Sequence, residues 1–135
     1  NIHGNFFIKP NIHELRDMFN EKLETKEEIV KKCSFFLERR VKNIIISRGG
    51  DGALLVNKEF VLEASVPEGE LINSIGAGDS MVAGFIAGHV KGYSVEDSFR
   101  LAVASGSATA YSYGLAEKEL VEKLYKEIKI IKESV

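Results

Sequence analysis

The 135-residue chain has one cysteine, two prolines and no tryptophan. A lone Cys33 excludes an intrachain disulfide framework and suits a reducing compartment. Neither charge is in excess: 18 Lys and Arg stand against 20 Asp and Glu, a formal net charge of −2, so a basic nucleic-acid footprint is absent. No apolar run approaches the ~18 residues of a membrane span. The polar opening Asn1–Asn5 carries neither the basic nor the apolar region of a secretory signal. His3, His13 and His89 are scattered, without zinc-site spacing. There is no Ser/His/Asp triad, no G-x-x-x-x-G-K-[ST] phosphate loop and no protein-kinase signature set. These gaps lead to the expectation of a cytoplasmic protein with no nucleic-acid and no membrane partner. The chain opens on Asn1 rather than Met and enters the apolar run Phe6-Phe7-Ile8 almost at once. That reads as a fragment whose N-terminal part is missing.

What is present is an ordinary globular composition, 44% hydrophobic and 28% charged, arranged as alternating strand and helix signals. Phe6-Phe7-Ile8 suits a buried strand that Lys9-Pro10 ends. Asn11 caps a short helix through about Phe19. Thr25 and Glu28 have capping-box spacing ahead of a helix that carries Ile29, Cys33, Phe36 and Leu37 on one stripe and ends near Arg39-Arg40. Cys33 on that stripe is a core residue. Ile44-Ile45-Ile46 is apolar without alternation, as in a parallel strand buried on both faces. Strands follow at Ala53–Val56 and Phe60–Ala64, joined by a polar turn at Asn57-Lys58-Glu59, and then an exposed connection over Val66–Leu71. A helix over about Gly78–Val90 presents Val82, Phe85, Ile86 and His89 on one face and Ala83, Ala87 and glycines on the other, where another element can approach closely. Ser94 caps the next helix, striped by Val95, Phe99, Ala102, Val103 and Gly106. A last helix begins near Glu117, with Leu120, Val121, Leu124, Ile128 and Ile131 on one face. The order predicts an α/β layered fold.

Three segments carry chemistry. In Asn73–Ser80, Gly76, Ala77 and Gly78 form a small-residue loop that opens directly into a helix, and Asp79 sits in the first turn. Backbone N–H groups converge there on an anion, helped by the helix dipole. The arrangement suits phosphoryl transfer, with the N–H groups of residues 76–78 on the moving phosphate and Asp79 accepting a proton from the attacking hydroxyl. The structural alternative uses the glycines for turn geometry and Asp79 as a helix-start charge. The second segment is Ser47-x-Gly49-x-x-Gly52 after a buried strand, at a strand end where ligands of α/β sheets collect. Its structural alternative is a hairpin turn at Asp51-Gly52, and Arg48 within it is either a phosphate contact or an exposed loop arginine. The third is Lys9-Pro10-Asn11-x-x-Glu14, whose oxygen donors share a helical face and suit Mg²⁺ through water, or else form a capping box. Ser105–Thr109 is a small-residue helix face suited to close packing.

In this order, Lys9-Pro10-Asn11-x-x-Glu14, Ser47-x-Gly49-x-x-Gly52 and Gly76-Ala77-Gly78-Asp79-Ser80 resemble the ribokinase-like (PfkB) carbohydrate kinases. The strings Ile8–Leu15 and Gly76–Phe85 are most similar to members acting on fructose 1-phosphate, and members acting on tagatose 6-phosphate are very similar too. The resemblance spans essentially the whole chain but only the C-terminal part of the family's fold, a three-layer α/β/α arrangement with a mostly parallel sheet.

The resemblance implies ATP as phosphoryl donor, Mg²⁺ as cofactor and a sugar phosphate as substrate. Asp79 is then the catalytic base, with Gly76, Ala77 and Gly78 as its anion hole. Asn11 and Glu14 match the motif tied to Mg²⁺ and phosphate. Lys9, Ser47, Gly49 and Gly52 match nucleotide-contacting positions, and Ser107 lies beside the adenine. Asn73 and Ile75 match positions where some relatives hold a monovalent cation through carbonyls. The whole of residues 1–135 is expected to be the ATP-binding portion. The resemblance places most of the sugar-binding residues, much of the central sheet and the β-sheet lid that makes a homodimer in the N-terminal part, so the fragment alone is expected to be inactive. The competing expectations are another sugar or nucleoside kinase of the family, or a nucleotide-binding module without catalysis.

Overall fold

A computed structural model describes residues 6–135. Its elements run β1 (Phe7–Ile8), α1 (Ile12–Phe19), α2 (Lys26–Glu38), β2 (Asn43–Ser47), β3 (Ala53–Val56), β4 (Phe60–Ala64), α3 (Ala77–Val90), α4 (Val95–Ala110), α5 (Lys118–Glu127) and β5 (Ile130–Ser134). The chain divides into two compact units, Asn1–Glu63 with Ile131–Val135, and Ala64–Ile130. No helix among the described residues is long and apolar enough to cross a membrane.

The first unit holds a five-stranded sheet in the order β1-β2-β3-β4-β5. Two local capping devices start its helices. Asn11 Oδ1 accepts from the Glu14 N–H at 2.8 Å while Glu14 Oε1 accepts from the Asn11 N–H at 2.9 Å. Thr25 and Glu28 repeat the arrangement at the head of α2. Its backbone and side-chain hydrogen bonds from Thr25 hold the Glu28 carboxyl below the usual range. α2 ends at Glu38 with Arg39 as its C-cap, and the Arg39 guanidinium donates to the Phe35 carbonyl at 2.8 Å.

β2 is buried along Asn43–Ile46, as its apolar triplet requires. It pairs in parallel with β1, Ile8 opposite Ile44, but antiparallel with β3, Ile45 opposite Leu55. The parallel expectation for β2 therefore holds on one edge only. The short link over residues 48–52 returns the chain beside its own strand, which only an antiparallel neighbour allows. Ile44, Ile46, Leu54 and Val56 point to one face, where Ile12, Leu15, Ile29, Cys33 and Phe36 complete a buried core. Burial pushes the Cys33 thiol up to about 12, so it packs as an unreactive apolar group. The turn between β3 and β4 is closed by Asn57 Oδ1, which accepts from the N–H groups of Glu59 and Phe60.

The second unit is helical. α4 packs against both α3 and α5. The glycines of α3 do allow the expected close approach: its buried residues are Met81, Gly84, Phe85 and Gly88, while Ala83 of the expected small-residue face is exposed. A Cβ on Gly88 would lie 2.8 Å from Ser98 Cα, and one on Gly84 would lie 3.0 Å from Ala102 Cα. Only residues without a Cβ let the two backbones approach so closely. In the connection expected to be exposed, Pro67 is buried.

The last helix is shorter than its apolar spacing suggests. α5 stops at Glu127, Ile128 is extended, and Ile130 and Ile131 enter β5.

Candidate functional site

Lys9, Asn11, Glu14, Ser47, Gly49 and Gly52 belong to the first unit, and Asn73, Ile75, Gly76, Ala77, Gly78, Asp79 and Ser107 to the second. In the second unit the loop expected to bind an anion does open into a helix. Gly76 is the N-cap of α3, at φ 84°, a left-handed conformation that favours glycine. No side chain caps this helix. The Ile75 N–H donates to Asn73 Oδ1 at 2.9 Å, and the Ala77 N–H donates to the Ser74 carbonyl at 3.2 Å. Among the described residues no acceptor meets the N–H groups of Gly76, Gly78 or Asp79. The open donors thus differ from the expected set in one member: Gly76 and Gly78 stay open, Ala77 is spent inside the loop and Asp79 is available in its place. Asp79 itself is exposed in the first helical turn. Such a turn can hold an anion beside a carboxylate.

The C-terminal turn of α4 holds this loop. The Ala110 carbonyl accepts from Ile72 N–H at 2.8 Å and from Asn73 N–H at 3.0 Å. The Ser80 and Thr109 hydroxyls share a hydrogen bond of 2.6 Å. Tyr111 Oη donates to the Pro67 carbonyl at 2.7 Å, and burial raises its phenol above the usual value, which keeps it a donor. Ser107 lies two residues before Thr109 on the same helix, half-buried. The carbonyls of Asn73 and Ile75 accept no hydrogen bond among the described residues.

In the first unit the structure brings Asn11 and Ser47 together: they form an isolated parallel bridge, and the Ser47 N–H donates to the Pro10 carbonyl at 3.3 Å. Half-buried Lys9 leads into this bridge. The glycine loop after Ser47 is a closed turn. Arg48 N–H donates to the Gly52 carbonyl at 2.8 Å, and Asp51 N–H and Gly52 N–H turn back to Arg48 and Gly49. Gly49 and Gly52 both have positive φ, 56° and 89°. Arg48 is not a free loop arginine. Its guanidinium bonds the Asp51 carbonyl at 3.0 Å and Glu63 at 3.1 Å, with its side chain 13% exposed. Glu63 also meets Lys26, which in turn pairs with Glu133. Burial works to raise the Glu63 carboxyl, but hydrogen bonds and charge from Lys26 and Arg48 prevail and hold it below the usual range.

The fit to Mg²⁺ rests on the same geometry. Asn11 Oδ1 and Glu14 Oε1 are engaged in the capping box. Among the described residues no three His, Cys, Asp or Glu side chains gather to hold a metal. The donors suit a Mg²⁺ carried mainly by phosphate and water, with Glu14 as an outer partner.

Two features of the site are not legible in the sequence alone. Thr109 falls at the end of a stretch that reads as a packing face, and Tyr111 falls just beyond it. A hydroxyl at residue 80, in a helix's first turn and in need of a partner, is the available signal for Thr109. The Arg48–Glu63–Lys26–Glu133 series joins residues far apart in sequence and leaves no local signal.

The family described as pfkB family carbohydrate kinase matches residues 2–122. The chain is 48% identical over 125 residues to a 1-phosphofructokinase of Bacillus subtilis, covering 93% of this chain and 41% of that protein. It is 36% identical over 126 residues to a D-tagatose-1-phosphate kinase of Bacillus licheniformis, with 93% and 41% covered. That name carries the 1-phosphate, where the expected runner-up was the 6-phosphate. A Staphylococcus aureus structure provisionally assigned as a phosphofructokinase superposes with TM-score 0.90 at 38% identity, over 96% of this chain and 42% of that one. Phosphofructokinase-2 of Escherichia coli in complex with potassium gives TM-score 0.81 at 29% identity, over 90% and 40%. The chain spans about two fifths of the length of the curated relatives it matches.

Proposed function

The chain belongs to the pfkB family of carbohydrate kinases, and from that premise we propose that it is the C-terminal, nucleotide-binding part of a kinase acting on a sugar phosphate. The leading substrate is fructose 1-phosphate, converted to fructose 1,6-bisphosphate, and the 48% identity to a 1-phosphofructokinase supports that choice. One observation carries the reading: an uncapped helix start with open N–H groups at Gly76, Gly78 and Asp79 beside an exposed carboxylate. A binding module needs the donors but has no use for the carboxylate, which argues against non-catalytic binding.

In the reaction, the Asp79 carboxylate takes the proton of the sugar hydroxyl as its oxygen bonds to the γ-phosphorus. The bond from that phosphorus to the β–γ bridging oxygen breaks, and ADP leaves. The transition state is loose, so the chain's main contribution is to place the hydroxyl and to meet the charge on the phosphoryl oxygens with fixed N–H donors. Mg²⁺ would neutralise phosphate charge, with Asn11 and Glu14 on its outer side. Lys9, Ser47, Gly49, Gly52 and Ser107 are the nucleotide-contacting residues of this reading. Asn73 and Ile75 carbonyls are its potassium ligands, supported by their lack of donors and by the potassium complex of a relative. A cytoplasmic homodimer for the full-length protein, and no turnover by the 135 residues alone, belong to the same reading.

The test is a coupled ADP-release assay on the full-length protein with fructose 1-phosphate, tagatose 1-phosphate, tagatose 6-phosphate and fructose 6-phosphate. The expected result is the highest kcat/KM for fructose 1-phosphate, and no turnover by the 135-residue chain. Highest kcat/KM for a tagatose phosphate would move the substrate within the family. Turnover by the chain alone would refute its dependence on further residues.

A further inference from the structure

The geometry points to Thr109 as a positioning residue for Asp79: through its hydroxyl on Ser80 and its methyl beside Gly76, it holds the first turn of α3 in the orientation phosphoryl transfer needs. The inference rests on the reading of Asp79 as proton acceptor. Asp79 lies between Ser80, which Thr109 hydrogen-bonds, and Gly76, whose open Cβ side Thr109 faces. Ser80, next in the chain, shares the 2.6 Å hydroxyl hydrogen bond. Gly76, three residues before, has Thr109 Cγ2 as the nearest atom to its Cβ direction, at 3.9 Å. The Ser80 N–H also closes onto the Gly76 carbonyl at 2.9 Å, so these two residues and Thr109 form one closed unit around Gly78 and Asp79.

The loop has little else to fix it from the helix side. Its N-cap supplies no side-chain hydrogen bond. The three open N–H groups have no protein acceptor among the described residues. A site that keeps its donors free must be held by something other than those donors. On the chain preceding the loop, the same turn of α4 does the holding, through Ala110 on Ile72 and Asn73 and through Tyr111 on Pro67. The Tyr111 ring occupies the space where a Cβ on Gly69 would fall, 2.3 Å away. Thr109 is the member of that turn that reaches past the loop to the helix bearing Asp79. The Ser80–Thr109 pair is part-buried, where water competes weakly for the hydroxyls.

In the full-length protein, Thr109→Val keeps the side-chain shape and removes the hydroxyl. The expected result is a kcat lower by roughly tenfold to a hundredfold, the size of a small misplacement of a reacting group. KM for ATP and for the sugar phosphate should stay within about twofold, because ground-state binding is untouched. Thr109→Ser, which keeps the hydroxyl, should recover most of the lost kcat. Ser80→Ala with Thr109→Val should be no worse than either alone, since both remove one bond. Amide exchange over residues 76–80 should quicken in Thr109→Val. If Thr109→Val fails to fold, Ser80→Ala removes the same bond with the same expectations. Normal kcat in Ser80→Ala and Thr109→Val, beside a crippled Asp79→Asn, overturns the positioning role alone. Normal kcat in Asp79→Asn overturns the base reading and this inference together.

Discussion

The two glycine-rich loops have similar composition and different fates. The loop from Ser47 to Gly52 leads into a strand, and much of its backbone turns inward: the Arg48, Asp51 and Gly52 N–H groups are accepted by carbonyls of the same loop, while those of Gly49 and Gly50 meet no acceptor among the described residues. The loop from Asn73 to Ser80 leads into a helix, and the N–H groups at Gly76, Gly78 and Asp79 remain open. The element that each loop enters decides the difference. A hairpin closes on itself with hydrogen bonds between its two arms, whereas a helix start has donors that the helix cannot satisfy. Glycine marks where the backbone needs freedom. It does not say whether that freedom serves closure or a ligand.

Paired substitutions break this comparison most sharply. Gly76 and Gly49 both have positive φ, and a Cβ would meet nothing closer than 3.9 Å at Gly76 and nothing within 4 Å at Gly49. A side chain at either site therefore costs backbone strain of about 1–3 kcal/mol, and its Cβ itself meets no clash. Gly76→Val should also lower kcat on the order of 10²-fold, because a residue that leaves the left-handed region turns its N–H away from the anion, as damaging as losing that donor. Gly49→Val should leave kcat near normal and act, if at all, on KM for ATP. Equal loss of kcat in both would erase the distinction between the loops.

A smaller effect separates the two roles of Asn11. Asn11→Ala removes the cap of α1 and should cost about 1 kcal/mol in denaturant unfolding. Asn11→Ser keeps a capping oxygen and should restore that stability, while the Mg²⁺ needed for half-maximal rate rises. Unchanged Mg²⁺ dependence in Asn11→Ser would leave Asn11 as a cap and nothing more.

The smallest effect concerns the brace behind the closed loop. The Glu63 carboxyl sits below its ordinary value of 4.5 in the fold. Its contribution is therefore complete at neutral pH and is lost as pH falls through the acid range below that value. The side chain is 31% exposed, so the total stays below about 1 kcal/mol. Glu63→Gln should flatten the stability–pH curve in that range and leave kcat at neutral pH unchanged. A curve as steep as the parent's would assign the acid sensitivity to other carboxylates.

Legibility tracks the reach of the interaction. The caps at Asn11, Thr25 and Ser94 are readable because each hydrogen bond spans three residues. The Asn57 turn is readable for the same reason, and the helix after Gly76 from the small-residue loop that opens into it. Ile128 and Ile131 fit a helical stripe as well as a strand, and the choice of β5 is made by pairing in a sheet whose β4 lies far back in sequence. The close approach to α3 is readable from its glycines, but which helix makes it is not. α4 approaches so closely that Gly84 and Gly88 become the buried positions. At the site, residue types and order are visible, but which N–H groups stay open depends on how Asn73 and Ser74 fold back onto the loop.

The central claim is that Asp79 acts on the transferred proton and not on nucleotide binding. Single-turnover phosphoryl transfer by full-length Asp79→Asn, with Mg-ATP affinity measured by calorimetry on the same protein, tests it most directly. The expected outcome is a rate lower by about 10²–10⁴-fold with ATP affinity essentially retained. A normal rate in Asp79→Asn would contradict it.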